Sequence, residues 1–155
     1  MKALESGKLG DVLYEALSGN VGISMACMPN ILGKKFRVFI PKPTPKATEV
    51  LLKALGAEVI RTDLISIDLN FINYVAELAR KDGATNLNQF FNDDNFEVHL
   101  TRTAKELEKQ FKVINKLPNA ITSGIGTSSH ITALIKYFKS KYNNVKVDWC
   151  STIIK

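Results

Sequence analysis

Short strand-like runs at residues 12–16, 36–41, 58–62, 85–88, 120–123 and 145–149, most of them nearly continuous in apolar residues, alternate with stretches in which apolar residues recur every three to four positions. Continuous apolar runs are what strands need when both faces of their sheet are covered, and the helical stretches between them supply the crossovers that parallel strands require. The pattern therefore predicts an α/β protein, a three-layer αβα arrangement around a mainly parallel sheet. Helices are expected at 48–55, with Val50, Leu51 and Leu55 before Gly56, and at 68–81, with Leu69, Ile72, Val75, Ala76 and Ala79 before Gly83. Further helices are expected at 96–111 and 129–142. Pro43 and Pro45 punctuate the turn after the second strand. Pro29 falls inside the helical stretch after the first strand, where it is expected to kink or end the helix.

A chain of 155 residues with 45% hydrophobic and 23% charged residues has the composition of an ordinary globular protein of one domain or one and a fraction. At that length roughly 70% of the unfolded chain's surface can be buried, so neither disulfides nor metals are needed to hold a core. Cys27 and Cys150 match no metal-ligand spacing, no metal site is expected, and both are read as core thiols of a reducing compartment. No apolar run approaches the ~18 residues needed to span a bilayer, and the first eight residues lack the apolar stretch of a signal peptide, so a cytoplasmic location without membrane contact is expected. The net charge of +6 is clustered in Lys34, Lys35, Arg37, Lys42 and Lys46, and again in Lys136, Lys139, Lys141 and Lys146. Such runs attract phosphate, but no nucleic-acid signature accompanies them, and a solvated surface is the expected reading. The expected partners are small: a phosphate-bearing molecule or an amino acid.

Two strand-to-helix turns hold the unusual residues, and in open α/β sheets ligands bind in the crevice outside the carboxyl ends of the strands. In the first, Leu17-Ser18-Gly19-Asn20-Val21-Gly22-Ile23, glycines allow close backbone approach while Ser18 and Asn20 present polar groups; Asn20 taken alone reads as the N-cap of the next helix. In the second, Ser123-Gly124-Ile125-Gly126-Thr127-Ser128-Ser129-His130, glycines and consecutive hydroxyls at a helix start offer N–H groups, O–H groups and the positive end of the helix dipole to a phosphate. His130 is expected to pack or to touch this cradle rather than act as a base. Gly124-x-Gly126-x-x-Ser129 also falls one residue short of a dinucleotide fingerprint, with Asp148 about 20 residues further on, so a dinucleotide site is the alternative.

Taken together, these turns and the segment between them resemble the fold-type-II pyridoxal-phosphate enzymes, the group of cysteine synthase, cystathionine beta-synthase and threonine synthase. The 17–23 turn is similar to their Thr-Ser-Gly-Asn-Thr-Gly loop, and Lys53-Ala54-Leu55-Gly56-Ala57-Glu58 is similar to the passage after the second helix of their small domain. Asn88-Gln89-Phe90 resembles their Asn-Gln-Phe segment, and Gly126-Thr127-Ser128-Ser129-His130 stands where they carry Gly-Thr-Gly-Gly-Thr. The stretch from Asn88 to His99 and the Gly-Thr-Ser-Ser-His variant look most like the archaeal O-phosphoserine sulfhydrylases.

The resemblance implies a tryptophan-synthase-beta-like architecture, with residues 10–84 as the small domain and 85–155 as part of the large domain with its phosphate turn. It implies pyridoxal phosphate as cofactor, with Asn20 on the ring 3′ oxygen and Gly124, Gly126, Thr127, Ser128 and Ser129 on the phosphate. Ser18, Gly19 and Gln89 would hold the carboxylate of the amino-acid substrate. The chemistry implied is replacement of the β-substituent of an O-activated serine by a sulfur nucleophile, with the cofactor as electron sink. The lysine that forms the Schiff base lies in that family farther upstream of the Ser-Gly-Asn loop than Met1, and Lys2 and Lys8 fall in the helix after it, so no catalytic residue is assigned. The chain is thus expected to be truncated at both ends relative to the family and inactive alone. Leu17 and Val21 stand where the family has threonines. Three fates stay open: a degenerate relative, a half completed by another polypeptide, and a stand-alone module that uses the phosphate cradle for another ligand; a homodimer or a complementing chain is the protein partner the resemblance leaves open.

Overall fold

The computed structural model describes Gly7 and residues 9–17, 19–142 and 144–151. The chain divides into two compact units, Met1–Asn88 and Gln89–Lys155. In the first, β1 (Val12–Ala16), β2 (Lys35–Ile40), β3 (Glu58–Arg61) and β4 (Thr85–Asn86) form a parallel sheet in the order β3-β2-β1-β4. Helices α1 (Asn20–Ile31), α2 (Lys46–Ala54) and α3 (Leu69–Lys81) connect them. Successive side chains of a strand face opposite sides, and the burial follows that rule. Leu13, Phe36, Val38 and Ile40 join Ala26 of α1 and Leu52 of α2 in one cluster, while Tyr14, Ala16 and Phe39 join Phe71, Val75 and Ala79 of α3 in the other. Two helices cover one face and one helix the other, giving the three-layer arrangement. The expected boundary at residue 85 falls just before β4, which pairs with β1.

The local signals account for the helix ends. Asp68 accepts a hydrogen bond from the Phe71 amide at 2.9 Å and caps α3, which stops at Asp82 and Gly83 with φ +63°. Pro45 starts α2 at Lys46, two residues earlier than expected. Past Pro29, α1 runs on only to Ile31; the Lys34 amide then closes the turn onto the Pro29 carbonyl at 2.8 Å. Cys27 is not the core thiol expected of it: among the described side chains of α1, Gly22, Ala26 and Pro29 are buried, and Cys27 lies on its exposed side. The side chain of Cys150 lies outside the described residues.

In the second unit, α4 (Asp93–Val98), a π-helical turn (His99–Thr103) and α5 (Ala104–Val113) form one run, followed by β5 (Ala120–Ile125), α6 (Ser129–Lys141) and β6 (Lys146–Ser151). The strands pair in parallel with Ala120 opposite Lys146 and Ile125 opposite Ser151. Ala104, Leu134, Tyr137, Phe138 and Val145 form the core, with Leu107, Phe111, Ile121 and Val147 packed against it. The helix expected at 96–111 thus begins earlier, at the Asn92 cap, where Asp93 and Asp94 complement the positive helix end.

The basic runs are partly paired in space. Lys34 bridges Asp11 at 2.8 Å, and Arg37 donates to Glu58 at 2.9 Å and to the Tyr14 hydroxyl, which in turn donates to Asp82. In the second unit the buried Glu108 accepts from Tyr142 at 2.6 Å, from Tyr137 at 2.8 Å and from Lys141 at 3.2 Å. The Tyr142 and Tyr137 hydroxyls, more than the lysines, pull its pKa down to about 2. A folded pKa below the unfolded one, ordinarily about 4.3, contributes stability that is full above that value and is lost as pH falls toward 2. Acid titration of the thermal midpoint from pH 5 to pH 2 should therefore show a steep fall that is shallower in Glu108→Gln and in Tyr142→Phe; equal slopes in all three proteins would exclude Glu108 as a source.

Candidate functional site

The order β3-β2-β1-β4 sends the chain from β1 toward β2 on one side and brings β4 in on the other. The topological switch point therefore lies between β1 and β4, where an open α/β sheet has its ligand crevice. At the carboxyl end of β1, the Leu17 amide donates to the Phe39 carbonyl at 3.1 Å and the Leu17 side chain is fully buried in the core. Gly19 follows in the left-handed region at φ +84°, and its carbonyl accepts from the amides of Gly22 at 3.1 Å and Ile23 at 3.4 Å. Gly19 thus precedes the helix, and Asn20, expected as the N-cap, is instead the first residue of α1. Ser18, Lys2, Lys8 and the side chain of Asn20 lie outside the described residues. At the carboxyl end of β4, the Leu87 amide donates to the Tyr14 carbonyl at 3.1 Å. Asn88 follows at φ +46° with a buried Oδ1 that has no partner among the described residues, and Gln89 opens the second unit.

The second turn belongs wholly to the second unit. β5 reaches further than the expected 120–123, so Gly124 is paired in the strand opposite Cys150, and Gly126, Thr127 and Ser128 make the turn into α6. A Cβ added at Gly124 or at Gly126 would meet nothing within 4 Å, so both glycines border open space. Ser128 stands before the helix at φ +65° and its side chain makes no cap hydrogen bond. The first amides of α6 lack intrahelical acceptors, and no acidic residue stands in its first turn. Free amides, a positive helix end, hydroxyls at 127–129 and room beside the glycines are the donor set a phosphate needs. The pyridoxal-phosphate group therefore fits here through its phosphate.

Beside the turn, the Thr127 Oγ1 accepts from Asn95 Nδ2 of α4 at 3.2 Å. The His130 ring lies edge-on to His99 with centroids 5.6 Å apart, and its Nε2 is 3.4 Å from the Ser123 Oγ. Burial, then the charge of His130, hold the His99 pKa below its ordinary value. His130 thus packs and touches the strand end, as expected of it. Asn95 was not singled out by sequence reasoning, although the Asn95–His99 spacing places both on one helical face, a signal that could have found it. Asp148 stands within β6 opposite Thr122 and is exposed, rather than at the strand end where a ribose-binding acid belongs. An open groove of about 520 Å³ bounded by Lys112, Asn115, Lys116, Leu117, Asn119 and Tyr142 lies at the amino end of β5, the opposite end of the strand from the turn.

A three-layer α/β chain with a glycine-and-hydroxyl turn at a helix start is an architecture found among ligand-binding α/β proteins. Residues 1–150 match the family described as pyridoxal-phosphate dependent enzymes, and the chain belongs to that family. It is 33% identical over 148 residues to a cysteine synthase of Staphylococcus aureus, covering 94% of this chain and 47% of that protein. It is 31% identical over 141 residues to the cystathionine beta-synthase of Saccharomyces cerevisiae, covering 87% of this chain and 28% of that protein. Among solved structures, an O-ureido-L-serine synthase superimposes with TM-score 0.85 at 25% identity, and a hydrogen sulfide-producing enzyme of Fusobacterium nucleatum with TM-score 0.84 at 26% identity. Each covers 96% of this chain, which amounts to 47% and 46% of those chains. The chain spans about half the length of the cysteine synthase it matches. Among the described residues no helix is long and apolar enough to cross a membrane, and no cluster of His, Cys, Asp and Glu could hold a metal ion.

The first turn is fixed by packing at Gly22. A Cβ there would collide with Leu17 Cδ1 and sit 3.2 Å from Leu52 Cδ2, and both leucines are fully buried. Alanine is the better helix former by about 1 kcal/mol, but overpacking of this kind costs about 1–3 kcal/mol. Gly22→Ala is expected to lower stability on denaturant unfolding, and a variant more stable than wild type would show that Leu17 yields freely.

Proposed function

We propose that this chain supplies the phosphate turn and the carboxylate loop of a pyridoxal-phosphate enzyme that replaces the β-substituent of an O-activated serine, O-phosphoserine by the resemblance, with a sulfur nucleophile. The observation that carries the reading is the turn from Gly126 to Ser129, open beside its glycines and leading into a helix with no acid in its first turn. Thr127, Ser128, Ser129 and the amides of that turn hold the cofactor phosphate by hydrogen bonds to its oxygens, with Gly124 giving it room. Asn20 donates to the ring 3′ oxygen. Ser18, the Gly19 amide and the Gln89 amide group hold the substrate carboxylate, a task for donors that carry no charge of their own. When bound, the cofactor supplies an electron sink for the carbon next to the substrate amine. The position of Asp148 within its strand favours this reading over the dinucleotide alternative.

By this reading no lysine in residues 1–155 stands where the resemblance puts the one that carries the cofactor, and these residues hold the binding part of the chemistry. Phosphate and pyridoxal phosphate should each raise the thermal midpoint of the 155-residue chain in proportion to the logarithm of ligand over dissociation constant. Gly126→Asp, which fills the turn and adds a like charge, should abolish the shift, and an equal shift in the variant would refute the assigned turn. The same polypeptide mixed with pyridoxal phosphate, O-phosphoserine or O-acetylserine, and sulfide should form no cysteine beyond that given by free cofactor. Cysteine formation above that background would show that a residue within the 155 does the covalent work.

A further inference from the structure

The segment between Asn92 and Thr103 has no part in the reading above, yet it stands directly against the phosphate turn. Asn92 caps α4 by accepting from the Asp94 amide at 2.9 Å, and this fixes the first turn on which Asn95 is carried. Two contacts then hold α4 and the π-helical turn against α6. The Lys136 Nζ lies 5.4 Å from the centroid of the Phe96 ring, and His99 meets His130 edge-on. His99 is itself held by the Thr103 Oγ1 at 3.0 Å from Nδ1. Asn95 stands between these anchors, with its Nδ2 at 3.2 Å from the Thr127 Oγ1.

A hydroxyl has one proton to give, and an amide N–H can only donate. When Asn95 donates to the Thr127 oxygen, the Thr127 hydroxyl proton is left for another acceptor, and a phosphate oxygen in the turn is such an acceptor. A residue that accepted from Thr127 would take that proton away and leave the turn facing the phosphate with a lone pair. We propose that Asn95 is a positioning residue of the phosphate turn, fixing the direction in which Thr127 donates. The inference rests on the reading of this turn as a phosphate site and deepens it.

The test uses the full 155-residue chain and inorganic phosphate as probe, with dissociation constants from calorimetry and the phosphorus resonance of the bound ion as a second readout. Asn95→Asp keeps the size of the side chain but makes it an acceptor with a negative charge, and should weaken phosphate at least tenfold. Asn95→Ala removes the constraint without reversing it and should weaken phosphate several-fold. The effect of Asn95→Ala should vanish when Thr127→Val is already present, because the residue acts only through that hydroxyl. Thermal midpoints without phosphate report whether a variant has lost its fold, and Asn95→Ser, which can still donate, should restore part of the affinity lost in Asn95→Ala. Wild-type affinity in both Asn95→Ala and Asn95→Asp, or an undiminished effect of Asn95→Ala in the Thr127→Val background, would overturn the positioning role while leaving the phosphate site standing. Failure of the wild-type chain to bind phosphate would overturn the site itself and the inference with it.

Discussion

The first unit depends on one constraint: a parallel sheet must be covered on both faces, and β1 lies inside it with neighbours on either side. Leu13 and Leu17 therefore face α1 and α2, while Tyr14 and Ala16 face α3. The same constraint makes the switch point. Covering two faces with connections of one hand obliges the chain to leave β1 in one direction and return as β4 on the other side. That reversal opens the crevice beside the 17–20 turn. Leu17 illustrates the coupling, since its fully buried side chain anchors the turn and accounts for the glycine required at position 22.

The second unit is organised around a different interaction, the carboxylate of Glu108. It gathers two tyrosine hydroxyls and Lys141 and ties α5 to the end of α6. A buried carboxylate costs stability unless its lone pairs are met, and here hydroxyls do most of that work while the lysines remain solvated. α6 is thus fastened at its carboxyl end by Glu108 and near its amino end by the His99–His130 contact. Its first amides stand beside the amino-end fastening at His130.

Much of this was legible in the sequence, for identifiable reasons. Strand order cannot be read from apolar runs, but the runs themselves and the helix expected at 68–81 depend on local chemistry and fell within a residue or two of the structure. What failed depended on the phase of a helix or on contacts far apart in sequence. Cys27 is apolar enough for a core, yet α1 buries Gly22, Ala26 and Pro29 and turns Cys27 outward. The π-helical turn at His99–Thr103 shifts the phase of the run beyond it, so that Ala104 and Glu108 become the buried positions of α5, and no 3.6-residue pattern announces such a shift. Of the candidate site residues, the glycines and hydroxyls of the second turn were visible because their types are unusual together. Asn95 was not, because its importance comes from Thr127, 32 positions away.

The chemistry of the second turn also bears on how selective it can be. From Ala120 to Ile131 the chain carries no Lys, Arg, Asp or Glu, so amides, hydroxyls and the helix dipole must supply the attraction for an anion. A dipole end contributes about 0.3–1 kcal/mol toward a nearby charge, less than a buried cation would. Binding in such a turn depends on how many oxygens are met in the right direction more than on total charge. Ser128 stands there at φ +65° and its side chain makes no cap hydrogen bond. A glycine in its place would relax the backbone but remove a hydroxyl, so the left-handed serine carries a small conformational cost that glycine would avoid.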